Sequence, residues 1–335
     1  MRALVTGGGG FLGQAICRQL RERGDDVRSL ARGDYPELAS VGVEAVRGDI
    51  TDRAAVARAM AGCDVVFHVA AKAGVWGPAA EYERINLHGT RNVLAGCREA
   101  GIRKLVYTSS PSVVHAGGDQ EGIDESTPYP ASFATHYPRT KAAAEQEVIA
   151  ANGSELATVS LRPHLIWGPG DNHLVPRLID RARSGRLRRV GPGTNRVDVV
   201  YIDNAAEAHL LAADRLSPES PVAGKCYFIS QGEPVNLWEF VNQILACADL
   251  PPLTKGVSLG TAKTIGGVLE AVYSLLGRRD EPPMTRFVAE QLGTSHWYDI
   301  SAAHRDLGYQ PRVSTEEGLE RMREWLHGRG GRPTS

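Results

Sequence analysis

Long apolar runs are missing from this 335-residue chain. No stretch reaches the roughly 18 uncharged apolar residues of a membrane-spanning helix, so no helical span of a bilayer is expected. Net charge is missing too: 38 Lys and Arg face 39 Asp and Glu, which leaves -1. Bulk attraction to nucleic acid or to an anionic membrane is therefore not expected. Lysine is scarce, six residues against 32 arginines, so a lysine inside a motif carries more weight. The five cysteines, Cys17, Cys63, Cys97, Cys226 and Cys247, are odd in number and never spaced CxxC. That argues against a disulfide framework or a metal site and for reduced thiols in a cytoplasmic protein. No internal repeat or low-complexity block is found. The opening MRALVTGGGG is a strand entering a glycine turn, so no secretory leader is expected. With 42% hydrophobic and 23% charged residues, the composition is that of an ordinary globular protein.

What is present is an alternation of short apolar strands and helices. Strands are predicted at Ala3–Thr6, Val27–Leu30, Glu44–Arg47, Asp64–Val69, Lys104–Ser109 and Ala157–Arg162. Between them helices are predicted at Phe11–Arg23, Arg53–Met60, Glu81–Ala100 and Tyr137–Ala151. Such alternation with continuously apolar strands predicts an α/β fold: a Rossmann-type, doubly wound parallel sheet covered on both faces. After Pro163 the pattern turns mostly helical, at Leu174–Ser184, Asn204–Arg215, Leu237–Ala248, Gly260–Leu276 and Thr315–His327. Two further strands, Val197–Ile202 and Cys226–Ile229, are expected to rejoin the sheet. The expected division is a dinucleotide-binding domain over 1–163 and 197–230, a smaller substrate domain over 164–196 and 231–328, and a mobile tail over 329–335.

The first chemical motif is Thr6-Gly7-Gly8-Gly9-Gly10-Phe11-Leu12-Gly13, between a strand and a helix. Gly7, Gly10 and Gly13 have the spacing that turns the chain tightly, admits a pyrophosphate to the backbone and seats the helix on the sheet. The helix start then offers free N–H groups and a positive dipole end to the phosphates. The tip of the second strand selects the cofactor. It reads Val27-Arg28-Ser29-Leu30-Ala31-Arg32, without the Asp or Glu that would hold a ribose 2′-hydroxyl. Ala31 leaves room and Arg32 offers a guanidinium to a 2′-phosphate, which points to NADP(H). Asp49 of Gly48-Asp49-Ile50 is placed to accept a hydrogen bond from the adenine amine.

The second motif is Tyr137-Pro138-Arg139-Thr140-Lys141 at the head of a helix. Residues four apart share a helical face. An ammonium one turn from a phenol is expected to lower the phenol's pKa, so that it exchanges a proton with a carbonyl or alcohol oxygen. Thr108-Ser109-Ser110 ends a strand at the carboxyl edge of the sheet, where a Ser hydroxyl can bind the same oxygen.

Glycine turn, serine strand end and Tyr–Lys helix in this order resemble the extended branch of the short-chain dehydrogenase/reductase superfamily, over roughly residues 1–327. The resemblance implies Ser110, Tyr137 and Lys141 as the catalytic set. It also implies cofactor contacts from Phe11, Leu12, Ile50, Ala70, Ala71, Lys72, Asn86 and Pro163. The segments Leu105–Val114, Leu161–Asp171 and Leu307–Pro311 resemble the 3β-hydroxysteroid and sterol-4-carboxylate dehydrogenase group. Five others, Gly7–Ala15, Arg32–Pro36, Ala70–Gly77, Tyr201–Ala206 and Thr285–Leu292, are similar to bacterial 2-alkyl-3-oxoalkanoate reductases of long-chain olefin biosynthesis. This implies reversible, NADPH-dependent reduction of a lipid-like 3-oxo acid to a 3-hydroxy acid. A homodimer paired through Glu81–Ala100 and the Tyr137 helix is implied as well, and an assembly with pathway enzymes would make chemical sense. A steroid dehydrogenase is the alternative, and a non-catalytic NADP-binding sensor a distant one. Unlike the steroid enzymes, which often carry an apolar membrane-engaging segment, Val257–Gly277 is interrupted by Lys263, Glu270 and several glycines. It reads equally as a lid or as a structural helix.

His68 reads as a core residue, while His115, His164 and His173 lie near the expected cleft. Trp76 and Trp167 each fit an acyl pocket or the core.

Overall fold

The computed structural model describes residues 1–329. The tail expected to be mobile therefore lies, from residue 330 on, outside the described residues, and Arg329 ends the helix Thr315–Arg329. The predicted strands appear as β1 (Arg2–Thr6), β2 (Asp26–Ala31), β3 (Glu44–Arg47), β4 (Val65–His68), β5 (Lys104–Thr108), β6 (Ala157–Pro163) and β7 (Cys226–Ile229). They form one wholly parallel sheet in the order β7-β6-β5-β4-β1-β2-β3. The direction of winding reverses between β1 and β4, and a crevice opens at that point beyond the strand ends.

Burial on both faces explains the apolar strands. Ala3 and Val5 of β1 pack with Ile16 and Leu20 on one face. Leu4, pointing the other way, packs with Val56, Met60 and Val93. Helix α1 (Phe11–Glu22) covers the first face. On the second, a helical run over 79–100, here α2, lies beside α3 (His136–Ala150). The two are joined by ion pairs Arg91–Glu147 at 2.6 Å and Arg139–Glu83 at 2.7 Å. Helix α2 is not uniform: Glu83–His88 is wound as a π-helix between α-helical ends. Asn86 sits in that segment, and its side chain bonds the backbone of Lys72 and the hydroxyl of Thr140 on α3.

The stretch expected as one strand at Val197–Ile202 is a correction. Arg196–Val197 joins a separate four-stranded sheet with Gln120–Ile123, Val235–Asn236 and His296–Tyr298, while Val200–Tyr201 pairs with Ile166–Trp167. The break falls at Asp198, which is buried. Its carboxylate accepts from the Tyr298 amide at 2.9 Å and its carbonyl from His164 at 2.8 Å, so the chain turns there. Cys226–Ile229 does rejoin the main sheet, beside β6. The predicted helix near Gly260–Leu276 is α4 (Leu259–Leu275), which packs on α5 (Arg286–Gly293). Among the described residues no helix is long and apolar enough to cross a membrane.

Candidate active site

A cleft of about 660 Å³ lies at the winding reversal. Gly7, with φ +71°, makes the turn out of β1; its N–H donates to Leu30 and its carbonyl accepts from Gly10. A Cβ at Gly7 would lie 2.8 Å from the Ala70 backbone, and one at Gly13 would lie 2.2 Å from the Gly7 carbonyl oxygen. Glycine is therefore required for the turn and for the approach of α1. Helix α1 begins at Gly10 without a side-chain cap, so its first N–H groups face the cleft. The glycine cradle and the uncapped helix start together fit a dinucleotide, and Arg32 is exposed just beyond the tip of β2. Among the described residues Arg32 has no hydrogen-bond or ion-pair partner.

Gly7, Gly10, Phe11, Leu12, Gly13, Arg32, Asp49, Ile50, Ala70, Ala71, Ser110, Tyr137, Lys141 and Pro163 all line this cleft. Lys72 and Asn86 do not. The Lys72 ammonium turns away to Glu81 at 3.2 Å and over the Tyr82 ring. Asn86 works behind the wall: it accepts from the Lys72 N–H at 2.7 Å and donates to the Lys72 carbonyl and to Thr140. It thus ties the loop after β4 to the helix of Tyr137. The sequence reading missed Tyr35, which lines the cleft and lies so close to Gly9 that a Cβ there would meet its ring at 2.0 Å. The only signal for it was its place in the Arg32–Pro36 segment.

Ser110 leaves β5 in extended conformation and caps a short 3-10 helix, Pro111–Val114, by accepting from the Ser112 amide. Its hydroxyl also shares a hydrogen bond with that of Ser112 at 2.9 Å. Lys141 is 2% exposed and donates to the Thr108 carbonyl at 2.6 Å, with its ammonium 4.0 Å from the centre of the Tyr107 ring. Burial lowers its pKa to about 7, against the opposing charge of Glu145. The expected lowering of Tyr137 by Lys141 is corrected here. Burial raises the Tyr137 phenol, and a hydrogen bond with Ser110 opposes the rise.

Beneath Lys141 lies a pair that spacing did not reveal. Glu145, one turn along α3, forms a fully buried ion pair with Arg162 of β6 at 2.5 Å. Tyr129 and Ser160 each donate to the same carboxylate at 2.8 Å. Burial alone would raise the carboxyl, but Arg162 together with Ser109 and Ser160 holds it below its ordinary value.

The histidines divide. His68 is buried between the hydroxyls of Thr6 and Thr90, its pKa held near 3 by burial and then by the Lys141 charge. His115 and His164 are buried outside the cleft, and His173 lines it. Trp167 is core, edge-on to Tyr201 and Phe240, whereas Trp76 lines a second cavity.

Comparison with known proteins agrees with this geometry. Over residues 4–255 the chain matches the 3-beta hydroxysteroid dehydrogenase/isomerase family. It is 56% identical to a 2-alkyl-3-oxoalkanoate reductase of Stenotrophomonas maltophilia, covering 96% of this chain and 98% of that protein. A protein of the same name from Shewanella oneidensis is 52% identical over 97% of this chain and 86% of its own length. The solved structure of MoeE5 in complex with UDP-glucose and NAD superposes with a TM-score of 0.74 at 26% identity, covering 98% of this chain and 99% of that one. A glycine cradle on a parallel sheet, with a serine and a Tyr–Lys helix at its rim, is thus joined to a match over most of the length: the chain belongs to the 3-beta hydroxysteroid dehydrogenase/isomerase family.

Proposed function

We propose that this protein is a 2-alkyl-3-oxoalkanoate reductase, converting 2-alkyl-3-oxoalkanoic acids reversibly to 2-alkyl-3-hydroxyalkanoic acids with NADP(H). The observation that carries the reading is its identity, above one half and over nearly the whole chain, to two bacterial reductases of that name. Gly7, Gly10 and Gly13 with the start of α1 would hold the pyrophosphate, Arg32 the 2′-phosphate, Asp49 the adenine and Lys141 the nicotinamide ribose. When bound, the cofactor supplies the hydride.

The chain's own residues manage the proton. Tyr137, a phenol and so protonated at neutral pH, gives its phenolic proton to the substrate's C3 oxygen. Ser110 stabilises that oxygen as its charge develops. Lys141 favours the phenolate left behind, and Glu145 behind it opposes the loss of the ammonium on burial. Asn86 fixes the spacing between the cofactor loop and α3.

The test is turnover in the stable direction. The protein should reduce NADP⁺ with 2-alkyl-3-hydroxyalkanoic acids at a kcat/KM well above that for 3β-hydroxysteroids; the opposite ranking would make it a steroid dehydrogenase with the same site. Cofactor choice has its own test. Arg32→Ala removes a charge-assisted contact and should raise KM for NADPH at least about tenfold, leaving NADH nearly unchanged. A wild-type preference for NADH would refute the assignment of Arg32.

Helices α2 and α3 lie side by side on one face of the sheet, an arrangement that suits pairing of two chains through a four-helix contact. Light scattering should report a dimer; a particle near 36.1 kDa at micromolar concentration would reject it.

A further inference from the structure

A second cavity, of about 970 Å³, adjoins the cofactor cleft. The loop after β4 serves both: Val69 to Ala71 and Ala73 face the cleft, Val75 to Pro78 the cavity. The head of α3 is shared in the same way, with Tyr137 and Lys141 on the cleft and Thr135, His136 and Arg139 on the cavity. The two spaces thus meet along the Trp76 loop and the head of α3, beside Tyr137. Aromatic side chains of Trp76, Phe133, Tyr273 and Phe287 line it, as suits alkyl chains.

Its charges do not balance. Five cationic side chains from Lys and Arg line the cavity against two carboxylates, Glu270 and Glu290. Four of the cations are already paired: Arg139 with Glu83 at 2.7 Å, Lys263 with Glu290 at 3.2 Å, Arg286 with Glu270 at 2.7 Å and Arg278 with Asp280 at 2.6 Å. The fifth, Arg279, is exposed and has no hydrogen-bond or ion-pair partner among the described residues. Its neighbour is anchored. The Trp76 indole N–H donates to the Arg278 carbonyl at 3.2 Å, and the Arg278 guanidinium lies 4.7 Å from the centre of the Tyr273 ring. Arg279 is thus an unpaired cation on an anchored segment at a cavity with aromatic walls.

We propose that Arg279 binds the substrate's carboxylate while the aromatic walls take its alkyl chains. The assignment rests on the reading of the substrate as a 3-oxo acid. An anion entering this cavity is met most readily by a cation that gives up no ion pair to bind it, and Arg279 is that cation among the lining residues. A 3-oxo acid that loses CO₂ becomes a neutral ketone. A free guanidinium therefore favours the intact acid over its decarboxylation product.

The test compares NADP⁺-coupled oxidation of one 2-alkyl-3-hydroxyalkanoic acid and of its methyl ester by the full-length protein. Arg279→Gln should raise KM for the acid at least about tenfold and leave KM for the ester within about twofold. Arg279→Lys, which keeps a point charge, should recover part of the loss. An unchanged KM for the acid, or equal shifts for acid and ester, overturns the assignment of Arg279 while the substrate reading stands. Wild-type turnover of neither compound overturns the substrate reading and the assignment with it.

Discussion

Glu145→Ala should cost about 3–5 kcal/mol of folding stability, read as a lower urea midpoint, because it leaves the Arg162 guanidinium buried without its carboxylate. Tyr129 and Ser160 lose an acceptor as well. If the single variant does not fold, the double variant Glu145→Leu/Arg162→Met still decides the matter. Removing both charges should restore most of the stability, and a double variant as unstable as the single one would show that the pair is not the cause. The carboxylate also makes a pH-dependent contribution. Its folded pKa lies below the ordinary value of 4.5, so the stabilisation is complete above about pH 4.5 and disappears as pH falls through the folded value. The double variant should lack that acid limb. It should also lose activity at neutral pH, since Lys141 would no longer have a charge opposing its burial.

That pair also shows where reading the sequence stops. The glycine turn, the serine after β5 and the Tyr–Lys spacing are local, and each follows a strong strand or helix signal, so the cleft was legible from residue types alone. Glu145 and Arg162 are 17 positions apart on different elements, and nothing in either neighbourhood marks them as partners. Lys72 is expected as a cofactor contact only from the resemblance, and no residue near it in sequence marks Glu81 as the partner of its ammonium. The short strands Gln120–Ile123 and Val235–Asn236 and the helix Arg286–Gly293 escaped for a similar reason. The strands pair with segments far along the chain, and two to four residues carry little periodicity; the eight residues of the helix make only about two turns. The free arginine of the second cavity is invisible among 32 arginines until its neighbours are seen to be paired.

Tyr137→Phe is the substitution expected to affect catalysis most. It removes the transferable proton and keeps the ring, so kcat should fall at least about 10²-fold while the Kd for NADPH stays within about threefold of wild type. Ser110→Ala should lose less, because Ser112 remains beside the site and the phenol still supplies the proton. The two losses should not add, since both groups serve one developing charge on one oxygen.

Steady-state rates can hide a chemical defect behind slow product release. Single-turnover hydride transfer, with protein in excess over a 2-alkyl-3-hydroxyalkanoic acid and saturating NADP⁺, therefore bears most directly on the claim that Tyr137 moves the proton of this reaction. The account predicts that Tyr137→Phe slows that step at least about 10²-fold. Transfer at the wild-type rate by the variant would contradict it.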